Sequence, residues 1–459
     1  MNGTHPLKKR ALVVMISALM GEHVAYAGGF SLYTESSAAA VGNFAAGVAA
    51  EAYDASTNWY NPAGLVWLHK QEAIISGVGV LPKTRLTGTS IFETVDYPPY
   101  QQSFQNEQGA ENALVPALHY AQPLGERAAF GVSLISPFGL ATDWDSTSPL
   151  RYSATRTELT LVNLTPAISG LLTDHVSVGL GLDLQWARVT FNSVLGSPAE
   201  LQYLESIGGL VTPTTLDSTS QNKGTSFGFG FHAGLLGSYH EGKTRWGVNY
   251  QSGVGHEFQG SSTLTGRLAD PELTNPAAVF YTDGLYSNHV ELPQIVTLSG
   301  YQTINSRIDL LGSLVYTGWD SYKTVTLNNI AAASTDGPTL VDLSTAENFR
   351  NTWRAALGLN YHVKDNVMMR LGGGYDQTPT VNSAREIRLP DSSRWALSVG
   401  THYQWRPQLG VDVGYTYLFG LGQAPVNKTI ILGENSTNTI VANAKSHAQL
   451  VGLQVVWTV

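Results

Sequence analysis

The chain has 459 residues, a formal net charge of −9, no cysteine and only 13% charged residues. That charged share is about half that of a typical soluble protein, and the missing cysteines exclude a disulfide scaffold and thiol chemistry. An acidic chain with no cluster of Lys and Arg beyond residue 10 makes a poor nucleic-acid binder, because phosphate contacts need gathered cations.

The first residues have the form of an export signal. Lys8, Lys9 and Arg10 are followed by the short apolar run Ala11 to Met20 and by Ala25-Tyr26-Ala27, a small-x-small cleavage pattern. Such a segment is too short and wrongly flanked to span a membrane as a helix. Residues 1–27 are therefore expected to be removed, leaving a mature chain that starts at Gly28 with a net charge of −11. No later stretch holds 18 or more apolar residues, so helical spans are excluded.

Residues 28–70 show no strand-like alternation. They hold Ser36-Ser37-Ala38-Ala39-Ala40, Gly42, Gly47 and then Asn58-Trp59-Tyr60-Asn61-Pro62-Ala63-Gly64. About forty residues are too few for an independent domain. A periplasmic tail or a plug inside a barrel would each accommodate them. Ala and Gly suit close packing, and Trp59, Tyr60, Leu65, Val66 and Trp67 are costly to leave in water, so the plug (hatch) is preferred.

From about residue 71 to 459 the dominant signal is period two. Leu409, Val411, Val413, Tyr415, Tyr417 and Phe419 alternate with Gly410, Asp412, Gly414, Thr416 and Leu418. Phe227, Phe229, Phe231 and Leu235 alternate with Gly228, Gly230, His232 and Gly234 in the same way, and Val451, Leu453, Val455, Trp457 and Val459 share one face. One face is apolar and the other small or polar, as in strands with two unlike surroundings. Short turns near 122–126, 172–174, 240–242, 304–305, 363–365 and 406–407 take turns with longer polar connections near 90–111, 137–157, 193–222, 263–288, 328–346, 386–391 and 430–444. That pattern predicts an all-β fold: a transmembrane antiparallel β-barrel of about fourteen strands in the bacterial outer membrane.

Several segments, taken in order, resemble the long-chain fatty-acid outer-membrane transporters of the FadL type, which include a toluene-channel branch. They are Asn61-Pro62-Ala63, Phe138-Gly139-Leu140-Ala141-Thr142-Asp143-Trp144, Tyr316-Thr317-Gly318-Trp319, Trp353 to Gly358, Tyr375-Asp376-Gln377-Thr378-Pro379 and, most specific, Arg385 to Arg394. The resemblance implies fourteen strands plugged by an N-terminal hatch, with Asn61, Pro62 and Ala63 on or near the ligand path. It also implies an inward kink in the third strand at Ser136, Pro137, Phe138 and Gly139, through which ligand leaves sideways into the membrane. A break there fits the residues, since Pro137 lacks an N–H and Gly139 tolerates a bend. Pro137 ending the strand at the outer rim is the alternative.

Leu201, Leu204, Ile207, Phe280 and Tyr281 are candidates for a greasy groove between outer loops, and packing on one another would serve equally well. Arg370 and Asp376 fall on the small, polar face of one strand, where they would brace the plug or line a pathway. Two departures from the family stand out. Positions that carry basic residues in the fatty-acid carriers fall on Ser193 and Thr345, with Arg188 and Arg350 nearby, and the terminal aromatic is replaced by Val459.

Gly224-Thr225-Ser226-Phe227-Gly228 matches a hydrolase nucleophile elbow, but that motif needs a strand-turn-helix corner. Here it lies within an alternating strand, with His232 about 20 Å further on. No histidine pair has metal-ligand spacing, so neither metal, cofactor nor catalytic residue is expected. The expected function is uptake of hydrophobic small molecules, with long-chain fatty acids preferred. A channel for neutral aromatic hydrocarbons is the first alternative, and an outer-membrane lipid hydrolase or a diffusion porin stands further off. Expected partners are a fatty acid or detergent-like lipid, and outer-membrane lipid and lipopolysaccharide around a monomeric barrel.

Overall fold

A computed structural model describes residues 29–433 and 435–459; the expected leader and its cleavage site lie outside the described residues. Fourteen wall strands close into one antiparallel ring. The first, Glu72–Thr94, pairs along its length with the last, Ser436–Thr458, from Glu72 opposite Thr458 to Thr94 opposite Ser436. This seam leaves neither the first nor the last strand with a free edge, as strands crossing hydrocarbon require.

The period-two faces fall as the alternation requires. Phe227, Phe229, Leu453 and Trp457 are more than half exposed on the outside, whereas Asp412, Thr416 and Gln454 on the other face are fully buried. Lipid covers the first set. The interior receives the second.

Residues 29–68 contact that inner face around the ring. Ser37 Oγ donates to Gln454 Oε1 at 3.0 Å, the Gly47 N–H to Ser313 Oγ at 2.8 Å, and the Ala49 N–H to Ser299 Oγ at 3.2 Å. Asn58 Nδ2 donates to Ser133 Oγ and to the Thr165 carbonyl, each at 2.9 Å. Glycines on the wall make this fit possible. A Cβ on Gly247 would collide with the Ala49 carbonyl, and one on Gly414 with the Ala38 carbonyl. Gly weakens an ordinary strand, and its use here marks where another backbone comes close.

Three connections read from the sequence as outer loops behave otherwise. Residues 377–393, of which 386–391 had the look of a short polar loop, turn inward: Thr380, Arg385, Glu386, Ile387, Leu389 and Asp391 are all buried. Much of 90–111 and 328–346 is paired strand beyond the wall, in the hairpin partner Tyr100–Gln108 and the hairpin Thr324–Ser334 with Gly337–Ala346.

Candidate functional site

The third strand runs Ala128–Ile135, stops, and resumes as Gly139–Asp143. Its pairing with the fourth strand, Arg156–Leu171, slips by one residue across the break: Ile135 faces Asn163 and Gly139 faces Thr160. Its pairing with the second strand, Ala113–Pro123, ends at Leu118 opposite Leu134. Ser136–Gly139 therefore interrupts a strand that continues, and Pro137 does not end it at the rim.

Beyond Leu118 the second and third strands separate, and contact returns only where the Asp143 N–H donates to the Gly109 carbonyl at 2.9 Å and Ala110 bridges Thr142. Pro116 on one side of this gap and Pro137 on the other each lack an N–H. The freed backbone of the third strand pairs with the start of the inner segment instead. The Leu32 N–H donates to the Pro137 carbonyl and the Gly139 N–H to the Phe30 carbonyl, both at 2.8 Å, with Ser31 opposite Phe138.

Phe30 also borders an apolar cavity. That cavity has an empty volume of about 680 Å³, with Leu140, Leu159, Val189, Phe258 and Phe349 among its walls. Phe30 meets Trp319 edge-on at 4.7 Å and Phe138 at 6.1 Å between ring centroids. One side chain thus stands between the cavity and the gap in the wall.

Charge enters the cavity from the inward-turned connection. Arg388 Nη2 donates to the Ser153 carbonyl and its Nη1 to Thr157 Oγ1, each at 2.8 Å. Glu347 and Glu386 line the same space. Burial pushes the Glu347 carboxyl well above the usual carboxylate range and the Glu386 charge pushes it further, against the pull of Lys428 and Arg388. Two carboxyl groups thus share the cavity with one guanidinium.

Neither Ser193, Thr345, Arg188 nor Arg350 borders this cavity, whereas Arg388 does. The charged cavity residues escaped the sequence reading, although Glu386 and Arg388 lie inside its most specific segment. The available signal was the isolated run Arg385-Glu386-Ile387-Arg388 in a chain so poor in charge.

Asn61, Pro62 and Ala63 lie elsewhere. Asn61 Nδ2 donates to the Ala49 and Leu235 carbonyls at 2.6 and 2.9 Å, and its Oδ1 accepts from the Ala63 N–H at 3.1 Å. Asn61 so caps the short helical segment Pro62–Trp67, with proline at its favoured first position. The Ala63 carbonyl accepts from Ser177 Oγ at 2.7 Å and from Ser169 Oγ at 3.2 Å. Ser169 is ten residues along the fourth strand from the cavity residue Leu159, about 33 Å at about 3.3 Å per residue. The motif fastens the inner segment near the short turns and does not border the large cavity.

Arg370 and Asp376 belong to separate ion pairs. Arg370 Nη1 meets Asp412 Oδ1 at 2.6 Å under the Tyr53 ring, and Asp376 meets Arg394 at 3.1 Å. The outer-loop candidates are divided between two surfaces. The helix Pro198–Ser206 leans on the first outer hairpin, with Tyr203 5.8 Å from Tyr97. Leu201 is buried, whereas Leu204 and Ile207 are exposed. Phe280 packs with Leu264, Ala331 and Leu268, and Tyr281 is exposed.

Ser226 sits mid-strand and accepts the Glu257 N–H at 3.1 Å. His232 contacts Asp183 and the Asn58 carbonyl instead. The elbow-like motif is not assembled as a nucleophile and base.

The chain is 29% identical over 428 residues to the long-chain fatty acid transport protein of Escherichia coli strain K12, covering 90% of this chain and 92% of that protein. Among solved structures, a Pseudomonas aeruginosa FadL homologue matches 94% of this chain and 99% of its own, with a TM-score of 0.77 and 24% identity. The Ralstonia pickettii toluene transporter TbuX matches 92% and 99%, with a TM-score of 0.59 and 16% identity. The model of the family described as outer membrane protein transport protein (OMPP1/FadL/TodX) matches residues 18–458. With that match spanning nearly the whole chain and its wall closed at fourteen strands, the protein belongs to the OMPP1/FadL/TodX family of bacterial outer-membrane transport proteins.

Proposed function

We propose that this protein takes up long-chain fatty acids through the outer membrane, holding the alkyl chain in the apolar cavity beside Phe30 and releasing it sideways at Ser136–Gly139. The observation that carries the proposal is Phe30, which borders the cavity and hydrogen-bonds to the broken strand. Residues 29–68 act as a plug, so the ligand's way out is the wall. An alkyl chain gains about 0.8 kcal/mol per buried CH₂, and a lateral exit into lipid avoids returning it to water. Arg388, on the cavity wall, offers the carboxylate a charge-assisted hydrogen bond.

A specific observation favours a second ligand class. Glu386 and Glu347 line the cavity beside Arg388 and offset its charge, as suits a neutral aromatic hydrocarbon. Binding of labelled oleate and labelled toluene to the purified Arg388→Gln protein separates the two. Oleate affinity is expected to fall about 10- to 100-fold, the value of a hydrogen bond to a charged group, with toluene binding unchanged. Oleate binding equal to wild type would refute the carboxylate role.

A further inference from the structure

We infer that the outer wall carries a binding site for a phosphorylated, multi-acylated lipid of the outer leaflet, built by the first and last strands where they close the barrel. Lys83 lies opposite His447 and Arg85 opposite Lys445. Lys83, Arg85 and Lys445 are exposed and His447 is half-buried. The four share the face of Leu81, Val451, Leu453 and Trp457, which points away from the lumen. Lys83 and Arg85 are more than 350 positions from Lys445 and His447 in sequence, and only closure of the ring gathers them.

Their height on the wall identifies the ligand. Trp457 marks the inner edge of the apolar band, and His447 lies ten residues nearer the outer loops. At about 3.3 Å per residue along a strand tilted by about 40°, that is a rise of about 25 Å, the thickness of the lipid-facing band. The cations therefore stand at the level of outer-leaflet headgroups. Below them Leu81, Val451 and Leu453 present an apolar surface for acyl chains. Beside them Tyr417 stacks on His447 with ring centroids 6.0 Å apart, and Phe419 lies opposite His447.

The charge arrangement is unfavourable without an anion. Like charges directly opposite across two strands destabilise a sheet, and Arg85 and Lys445 are such a pair. The adjoining outward positions are Leu81, Thr87, Gln108, Asn443 and Gln449, none of them a carboxylate. A lipid phosphate seated between the strands relieves the repulsion and accepts from both side chains. The lipid A end of lipopolysaccharide has this chemistry: two phosphates on an acylated sugar.

The test uses the mature protein in neutral detergent with a chelator present, so that divalent cations cannot bridge. Affinity is measured for bisphosphorylated lipid A, for dephosphorylated lipid A and for inorganic phosphate. Three variants are compared: K83Q/R85Q/K445Q, the charge-matched inner-rim triple K243Q/R307Q/K364Q, and R85K. At about 1 kcal/mol per basic residue near an anionic surface, the first triple is expected to weaken lipid A binding on the order of 100-fold. The inner-rim triple and R85K should stay within about twofold of wild type. Heat-modifiable mobility checks that every variant is folded. Undiminished lipid A binding by the first triple, equal loss in the inner-rim triple, or equal affinity for the dephosphorylated lipid would overturn the site. Inorganic phosphate binding as tightly as lipid A would overturn its assignment to a lipid.

Discussion

Fixing the inner segment to the broken strand should stop uptake without harming the barrel. Ser31 and Phe138 are directly opposite in an antiparallel bridge, and antiparallel partners have Cα atoms about 4.5 or 5.5 Å apart. Both values suit a disulfide, and the chain has no cysteine of its own to compete. In the uncrosslinked protein, withdrawal of this segment breaks two backbone hydrogen bonds, Leu32 to Pro137 and Gly139 to Phe30. At a net of about 1 kcal/mol each, withdrawal costs about 2 kcal/mol, leaving the open form at about 3%. Packing of Phe30 against Phe138, Trp319 and Tyr322 lowers that share further. The S31C/F138C double variant, oxidised, removes the open form altogether. Labelled-oleate uptake by cells carrying it should drop to the level of cells lacking the protein, then return on mild reduction. The reduced double variant is the reference, because F138C alone removes a buried ring. If oxidised protein, with the cross-link verified by mass, takes up oleate as fast as the reduced form, the segment does not gate the opening.

Three further outcomes are expected. Gly247→Leu places a side chain where the Ala49 carbonyl lies, so the segment around Val48–Glu51 must move, and ion conductance in planar bilayers should rise. Conductance equal to wild type would show that the segment does not obstruct the lumen. Arg370→Met leaves the fully buried Asp412 without its 2.6 Å partner; stability against urea in micelles should fall by about 3–5 kcal/mol, and Arg370→Met with Asp412→Leu should recover most of it. Glu347 binds its proton more tightly folded than unfolded, so its contribution is present below the ordinary carboxylate range and lost as pH rises toward the raised value. The melting temperature should therefore decline as pH rises above the ordinary carboxylate range in wild type and be flatter in Glu347→Gln; parallel profiles would refute this.

The wall was legible because lipid outside and protein inside force a strict alternation, as in Leu409–Gly420 and in 445–458 of the last strand, whose extension back to Ser436 had the look of an outer loop. Above the membrane that contrast vanishes, so the outer half of the 23-residue first strand and its hairpin partner at Tyr100–Gln108 gave no clear periodicity. Pro137 and Gly139 located the break, but its place within a continuing strand needed the pairing of Gly139–Asp143 with the fourth strand. The connection at 377–393 was obscured by its polarity. Thr378, Arg385, Asp391 and Arg394 suggest solvent, yet they satisfy one another: Thr378 Oγ1 donates to Asp391 Oδ2 at 2.6 Å and Arg385 Nε to the Asp391 carbonyl at 2.9 Å. Asn61-Pro62-Ala63 was conspicuous as a motif, but its spacing could not tell a structural cap from a ligand contact.

The glycines facing inward at Gly247 and Gly414 bear on how the molecule can be assembled. Where main chain rests on main chain, no side chain can rotate aside to let a segment slide past. Residues 38–50 cannot be threaded into a finished ring, nor move through it as a piston during transport. The wall must close around them, with the first and last strands meeting only once the interior is seated. Motion during transport is then expected in the few residues before Glu35, which hold the broken strand by two backbone hydrogen bonds and the contact of Phe30 with Phe138.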